Sequence, residues 1–109
     1  MADDHCSTAA DLLVDDDYAG AAGAFSEALK VDPSLVKALT GRSGCFLKLG
    51  RHAEALQDAN SALQLDGSQE VACFRKGAAA FELEEFETAL AAFRKGKTVS
   101  AVRNLVTEQ

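Results

Sequence analysis

Stepping along this chain by 34 residues returns small side chains to small positions. Ala9, Ser43 and Gly77 form one set, Ala21, Ala55 and Ala89 a second, and Ala28, Ala62 and Gly96 a third. Bulky residues mostly return too, as in Leu13, Leu47 and Phe81, and in Tyr18, His52 and Phe86. Two helices that cross closely need side chains little larger than a methyl at the contact and bulky neighbours to fill the grooves beside it. A small position midway along one segment, answered by another near the start of the next, is therefore a helical hairpin written three times. A shorter echo fails when extended. Phe74-Arg75-Lys76-Gly77 and Phe93-Arg94-Lys95-Gly96 share letters 19 residues apart, but their neighbours differ. The first string opens a helix and points Phe74 and Arg75 toward an inner groove, whereas the second closes one, with Phe93 in the core and Gly96 helping to end the helix.

The spacing predicts an all-α chain, one domain over residues 1–109, with seven helices at about 5–15, 18–31, 35–48, 52–65, 69–82, 86–96 and 99–107. The units fall at about 2–35, 36–69 and 70–97, with a capping helix at about 99–107 whose Val99, Val102, Leu105 and Val106 make an apolar stripe over the last hairpin. Asp15-Asp16-Asp17, Leu49-Gly50-Arg51 and Leu83-Glu84-Glu85 are the hairpin turns, and Asp17 is the N-cap of the second helix. Alternating β-branched runs that would signal a sheet are absent.

The second half of the first unit carries Tyr18, Ala21, Phe25, Ala28, Asp32 and Pro33, and resembles the tetratricopeptide repeat. The second unit keeps Gly50, Ala55, Ala62, Leu63 and Asp66, and the third keeps Gly77, Phe86, Ala89 and Phe93. VDDDY (14–18), EALQDANSALQLD (54–66) and FRKGAAAFELEEF (74–86) are similar to the N-terminal repeat domain of the Sgt-one co-chaperone family, the suppressor of the G-two allele of Skp. The residues that carry this likeness are Asp58, Ala59, Asn60, Ala62 and Leu63, then Arg75, Lys76 and Gly77, then Leu83, Glu84, Glu85 and Phe86. The resemblance implies a right-handed α-solenoid and adaptor work: self-association and contact with Skp-type ubiquitin-ligase components. The family continues into a sheet domain that binds the ninety-kilodalton heat-shock chaperone, and these residues do not include it.

Other functions find no footing in the residues. No Ser-His-Asp or Cys-His set, paired buried carboxylates or phosphate loop is present; Gly41-Arg42-Ser43-Gly44 lies within a helix and lacks a lysine. An enzyme is not expected, nor a cofactor. Cys6, Cys45 and Cys73 are dispersed, His5 beside Cys6 lacks two further ligands, and the aspartate run lacks the alternation of a calcium loop, so no metal is expected. Six acids and no base occupy residues 1–18, leaving eleven acids and eleven bases beyond, which disfavours nucleic acid. Apolar runs are shorter than the ~20 residues of a membrane span, and Asp3 and Asp4 stand where a secretory signal would be basic. The expectation is a cytoplasmic chain, also compatible with the nucleus.

What remains is a protein-binding groove offering Lys37, Thr40, Lys48, Phe74, Arg75 and Phe81, mildly basic and partly aromatic. Two alternatives stand beside a Skp-type partner: a homodimer scaffold, and a carboxylate clamp for heat-shock chaperone tails. The resemblance places the five clamp positions at Cys6, Ala10, Gly41, Val71 and Arg75, of which only Arg75 suits an anion, so an isolated tail is expected to bind without useful affinity. The register itself is testable: Ala55→Phe and Ala89→Phe should each destabilise the fold by about 1–3 kcal/mol through overpacking, measured by urea unfolding, and neutrality at both would refute it.

Overall fold

A computed structural model describes residues 1–107, with side chains as far as Leu105. Among them are six helices and no strand: α1 (Ala2–Val14), α2 (Tyr18–Val31), α3 (Val36–Lys48), α4 (His52–Leu65), α5 (Glu70–Glu82) and α6 (Phe86–Thr107). Helices α1 and α2, α3 and α4, and α5 and α6 pair as hairpins, and α2 with α3 and α4 with α5 stack the hairpins into a solenoid.

The period set by size reappears as burial. Ala9, Ser43 and Gly77, Ala21, Ala55 and Ala89, and Ala28, Ala62 and Gly96 are all buried. Large side chains enter the spaces left by missing methyls. A Cβ at Gly41 would collide with the Phe25 ring, and one at Gly77 would lie 2.6 Å from the Phe93 ring. Ser43 is wholly buried, and its hydroxyl donates to the Ala55 carbonyl at 2.8 Å, so the one polar member of the small sets is satisfied.

Hairpin turns repeat the period in backbone form. Asp16, Gly50 and Glu84, 34 residues apart, each adopt positive φ, at 57°, 77° and 63°. The amide after each donates five residues back, from Asp17 to Leu12, Arg51 to Phe46 and Glu85 to Ala80, at 2.8–2.9 Å. This is the left-handed stop that satisfies the last helical carbonyls. Asp17 then caps α2, its carboxylate accepting from the Gly20 amide at 2.9 Å. Between hairpins a different device repeats: Asp32 accepts from the amide and hydroxyl of Ser34, and Asp66 from those of Ser68. Hydrogen bonds from Gln69 and Ser68 hold the Asp66 carboxyl down at about 2.

The expected seventh helix does not form separately. Helix α6 runs unbroken through Gly96, which is buried rather than terminal: a Cβ there would lie 3.0–3.1 Å from Phe74 and Cys73. The reason lies in the third linker. Where the first two units have Asp32-Pro33-Ser34 and Asp66-Gly67-Ser68, the third has Ser100-Ala101-Val102, with neither the capping carboxylate nor a helix breaker. Phe93, expected in the core, is partly exposed. Of the apolar stripe, Val99 and Val102 line a hollow with Val71 on α5, Leu105 is exposed, and the Val106 side chain lies outside the described residues.

Glutamate in the left-handed region is strained by about 1–2 kcal/mol, whereas glycine is not. Glu84→Gly should therefore raise the unfolding free energy by about 1 kcal/mol, and Gly50→Glu should lower it similarly, both read from urea midpoints.

Candidate protein-binding groove

The first helices of the three units, α1, α3 and α5, line one face of the solenoid. Positions 34 apart stand side by side there, as the Lys37–Asp3 ion pair between α3 and α1 shows at 2.6 Å. The floor is bare where Ala10, Gly44 and Ala78 follow one another in register. Arg75 fills part of that space. Its guanidinium reaches from α5 onto α3, so that a Cβ at Gly44 would lie 2.8 Å from Cζ. Burial pushes the neighbouring Cys45 thiol up, and the Arg75 charge opposes that shift.

Among the described residues, Arg75 has neither a hydrogen bond nor an ion pair, and its Nε is buried without a partner. The other partly buried arginine is fully engaged. Arg42 donates Nε and Nη2 to Asp58 at 2.7 Å each and Nη1 to the Ser26 hydroxyl at 3.1 Å, tying α2, α3 and α4 together. Arg42 and Arg51 also flank the Phe46 ring, at 5.6 and 4.6 Å from its centroid.

Three of the six residues expected in the groove come together: Lys48, Arg75 and Phe81 line one cleft of about 440 Å³, closed by Leu47, His52, Glu82 and Phe93 of α6. The other three do not join them. Lys37 is held by Asp3, and the Thr40 hydroxyl turns back to the Val36 and Lys37 carbonyls at 3.2 Å. Phe74 turns away toward α6, its ring 6.3 Å from that of Phe93 and against Gly96. Sequence reasoning missed His52 and Glu82, whose side chains stand 4.0 Å apart at the cleft mouth. The 34-residue step from Val14 and Lys48 to Glu82 was the available signal. At the clamp positions the structure places Cys6, Ala10, Gly41 and Val71, none of which donates a side-chain hydrogen bond into the groove.

With this geometry in place, the comparisons are decisive for the family. The tetratricopeptide repeat profile matches residues 8–70, more than half of the chain. The chain belongs to the tetratricopeptide repeat family. It is 41% identical over 90 residues to the protein SGT1 homolog of Oryza sativa subsp. japonica, covering 83% of this chain and 24% of that one. It is 37% identical over 79 residues to Hsp70-Hsp90 organizing protein 3 of Arabidopsis thaliana, covering 72% of this chain and 14% of the relative. The chain thus spans a quarter or less of the curated relatives it matches. Among solved structures, the yeast Sti1 TPR2B domain in complex with an Hsp70 peptide superposes with TM-score 0.90 at 25% identity, covering 94% of this chain and 82% of that one. The second repeat domain of Spaghetti (RPAP3), bound to the HSP90 peptide SRMEEVD, gives TM-score 0.88 at 22% identity, covering 90% and 91%, and shows the fold alone. The solenoid and the co-chaperone-like repeat module stand on these likenesses together with the geometry.

Gly44 separates the groove's chemistry from its stability. Gly44→Ala should leave the tetratricopeptide fold as stable or up to about 1 kcal/mol more so, because alanine favours a helix and only the flexible end of Arg75 must move. The Arg75 guanidinium should be displaced toward solvent, seen as a changed side-chain Nε–H resonance by NMR; an unmoved resonance would show that Arg75 does not rest on Gly44.

Proposed function

We propose that this domain is a non-enzymatic adaptor of the co-chaperone type that receives an extended acidic segment of a partner protein on the α3/α5 side of its groove. The observation that carries the reading is Arg75, a half-buried cation laid over Gly44 with no carboxylate of its own. A buried charge left uncompensated is costly, and a partner carboxylate supplies the missing ion together with charge-assisted hydrogen bonds. Lys48 adds a second cation, and Leu47 and Phe81 offer apolar surface beside it.

For the partner's identity, the likeness to an Hsp70-Hsp90 organizing protein and to a Sti1 domain in complex with an Hsp70 peptide supports a chaperone tail. The groove is not a two-sided clamp, however, since Cys6, Ala10, Gly41 and Val71 replace its other members. Reading the residues alone argues against useful affinity for an isolated tail. The open Arg75, together with the comparisons, revises that expectation to weak, one-sided and salt-sensitive binding. A second reading, contact with a Skp-type ligase component, is favoured by the 41% identity to the rice SGT1 homolog.

Fluorescence polarisation of labelled SRMEEVD distinguishes them. Saturable binding should weaken on Arg75→Glu by at least the ~1.5–3 kcal/mol of a charged hydrogen bond, about 10- to 150-fold in Kd. Absence of tail binding, with Arg75-dependent capture of a Skp-type protein, would move the assignment to the second reading. Binding indifferent to Arg75→Glu would reject the groove.

A further inference from the structure

A second surface lies on α6 and adjoins the groove cleft, which Phe81 and Phe93 also line. In each unit the second helix presents a stripe to the first helix of the next unit. In unit one the stripe is Tyr18, Ala22, Phe25 and Leu29, and α3 covers it, leaving Ala22 and Phe25 only 6% and 7% exposed. Phe25 is received by Gly41 of that covering helix. In unit two the stripe is His52, Leu56, Ala59 and Leu63 beneath α5, with Ala59 fully buried. The equivalent stripe in unit three is Phe86, Leu90 and Phe93, followed by Lys97. Because α6 continues straight past Gly96, no described helix covers it from the side of a next unit, and only the Phe93 ring finds a partial seat, against Gly77 and Phe74 of its own hairpin. Phe86 is 56% exposed, Leu90 51% and Phe93 38%. Phe81 extends the apolar area, edge-on to Phe86 at 5.5 Å.

Charge around this face is polarised. Glu84, Glu85 and Glu87 surround its Phe86 end, and Arg94 and Lys97 its far end. A helix that covers α6 as α3 covers α2 runs antiparallel to it, with its C-terminus beside the glutamates. Basic residues in a last helical turn complement both those acids and the helix dipole.

We propose that the Phe86–Leu90–Phe93 face docks an amphipathic helix of a partner protein, which stacks as a fourth first-helix of the solenoid. That helix carries a small residue opposite Phe93, apolar neighbours one turn to either side, and Lys or Arg in its last turn. Helix α3 is the molecule's own example: Gly41 meets Phe25, Ala38 and Cys45 are buried on the same helix, and Lys48 lies in its last turn.

The test uses the intact domain and, as probe, a fluorescein-labelled peptide of residues 34–51 with Cys45→Ala, held helical by a lactam on its outward face because so short a helix is marginal alone. Saturable binding is expected, weakened roughly tenfold or more by Leu90→Glu in the domain and equally by Gly41→Leu in the peptide. Glu84→Lys with Glu85→Lys should weaken it further and flatten its salt dependence. Leu90 is half exposed, so Leu90→Glu should keep the fold, checked by circular dichroism, and leave SRMEEVD binding unchanged; the groove assignment therefore stands or falls separately. No binding, or equal affinity for both peptides and both domains, would overturn the proposal. So would sedimentation showing self-association that Leu90→Glu abolishes, which would make a second copy of the chain the occupant.

Discussion

The distance at which two helices of this solenoid can cross is set by side chains no larger than a methyl, and the remaining architecture follows from it. Where a Cβ is missing, a neighbouring residue takes the space: Phe25 at Gly41, Phe93 at Gly77, the Arg75 guanidinium at Gly44. Each helical glycine costs about 0.5–1 kcal/mol relative to alanine. Burying an aromatic ring contributes about 1.5–3 kcal/mol, so the exchange favours the fold where the ring is covered. Phe25 gains that in full, whereas the partly exposed Phe93 gains less. The same constraint leaves the groove floor between α3 and α5 without side chains tall enough to shield Arg75. A packing rule thus places a cation at the surface that a partner would meet.

Charge is distributed with a matching logic. Arg42, the arginine that bridges three helices, finds its anion internally in Asp58, and removing Asp58 would strand a partly buried cation. Exposed pairs such as Lys30–Glu27 and Arg51–Glu54 contribute little and are weakened by salt. Arg75 belongs to neither group. It is too covered to be solvated like a surface lysine and has no carboxylate to balance it. This intermediate state is tolerable in a free domain and would be relieved by a bound acid, which is the electrostatic condition for the binding proposed.

Much of this was legible in the residues because size and periodicity are local properties. The three sets of small residues gave the hairpins, and Asp15–Asp17, Leu49–Arg51 and Leu83–Glu85 marked the turns that the structure forms. What could not be read was which way a side chain turns once its helix is placed. Phe74 sits on the groove helix, yet it packs on α6, because Gly96 and Phe93 offer its ring more apolar surface than the groove does. Lys37 was correctly placed on α3, but its pairing with Asp3 depends on the stagger between α1 and α3. The merged seventh helix is a different kind of miss. Its signal was present in Ser100-Ala101-Val102, which departs from the Asp-x-Ser linkers before it, whereas Gly96 carries the composition of a helix stop. A glycine alone does not end a helix when its missing side chain is used for packing.

The unbroken course of α6 also sets what the third unit leaves exposed. A repeat array must cover the apolar face of its last unit or leave it open, and turning the chain back at Gly96 would have covered it. Continuing α6 instead directs Val99 and Val102 toward Val71 on α5, where Arg103 pairs with Glu70 at 2.6 Å and fixes the extension in place. The extension therefore cannot also shield Phe86, Leu90 and Phe93, which lie on the other side of the same helix. The groove and this end face adjoin at Phe81 and Phe93 but differ in chemistry, one cationic with a small floor, the other aromatic with an acidic margin. Because Phe81 and Phe93 belong to both, segments bound at the two surfaces would meet at these rings, and filling one site would alter the contacts open to the other.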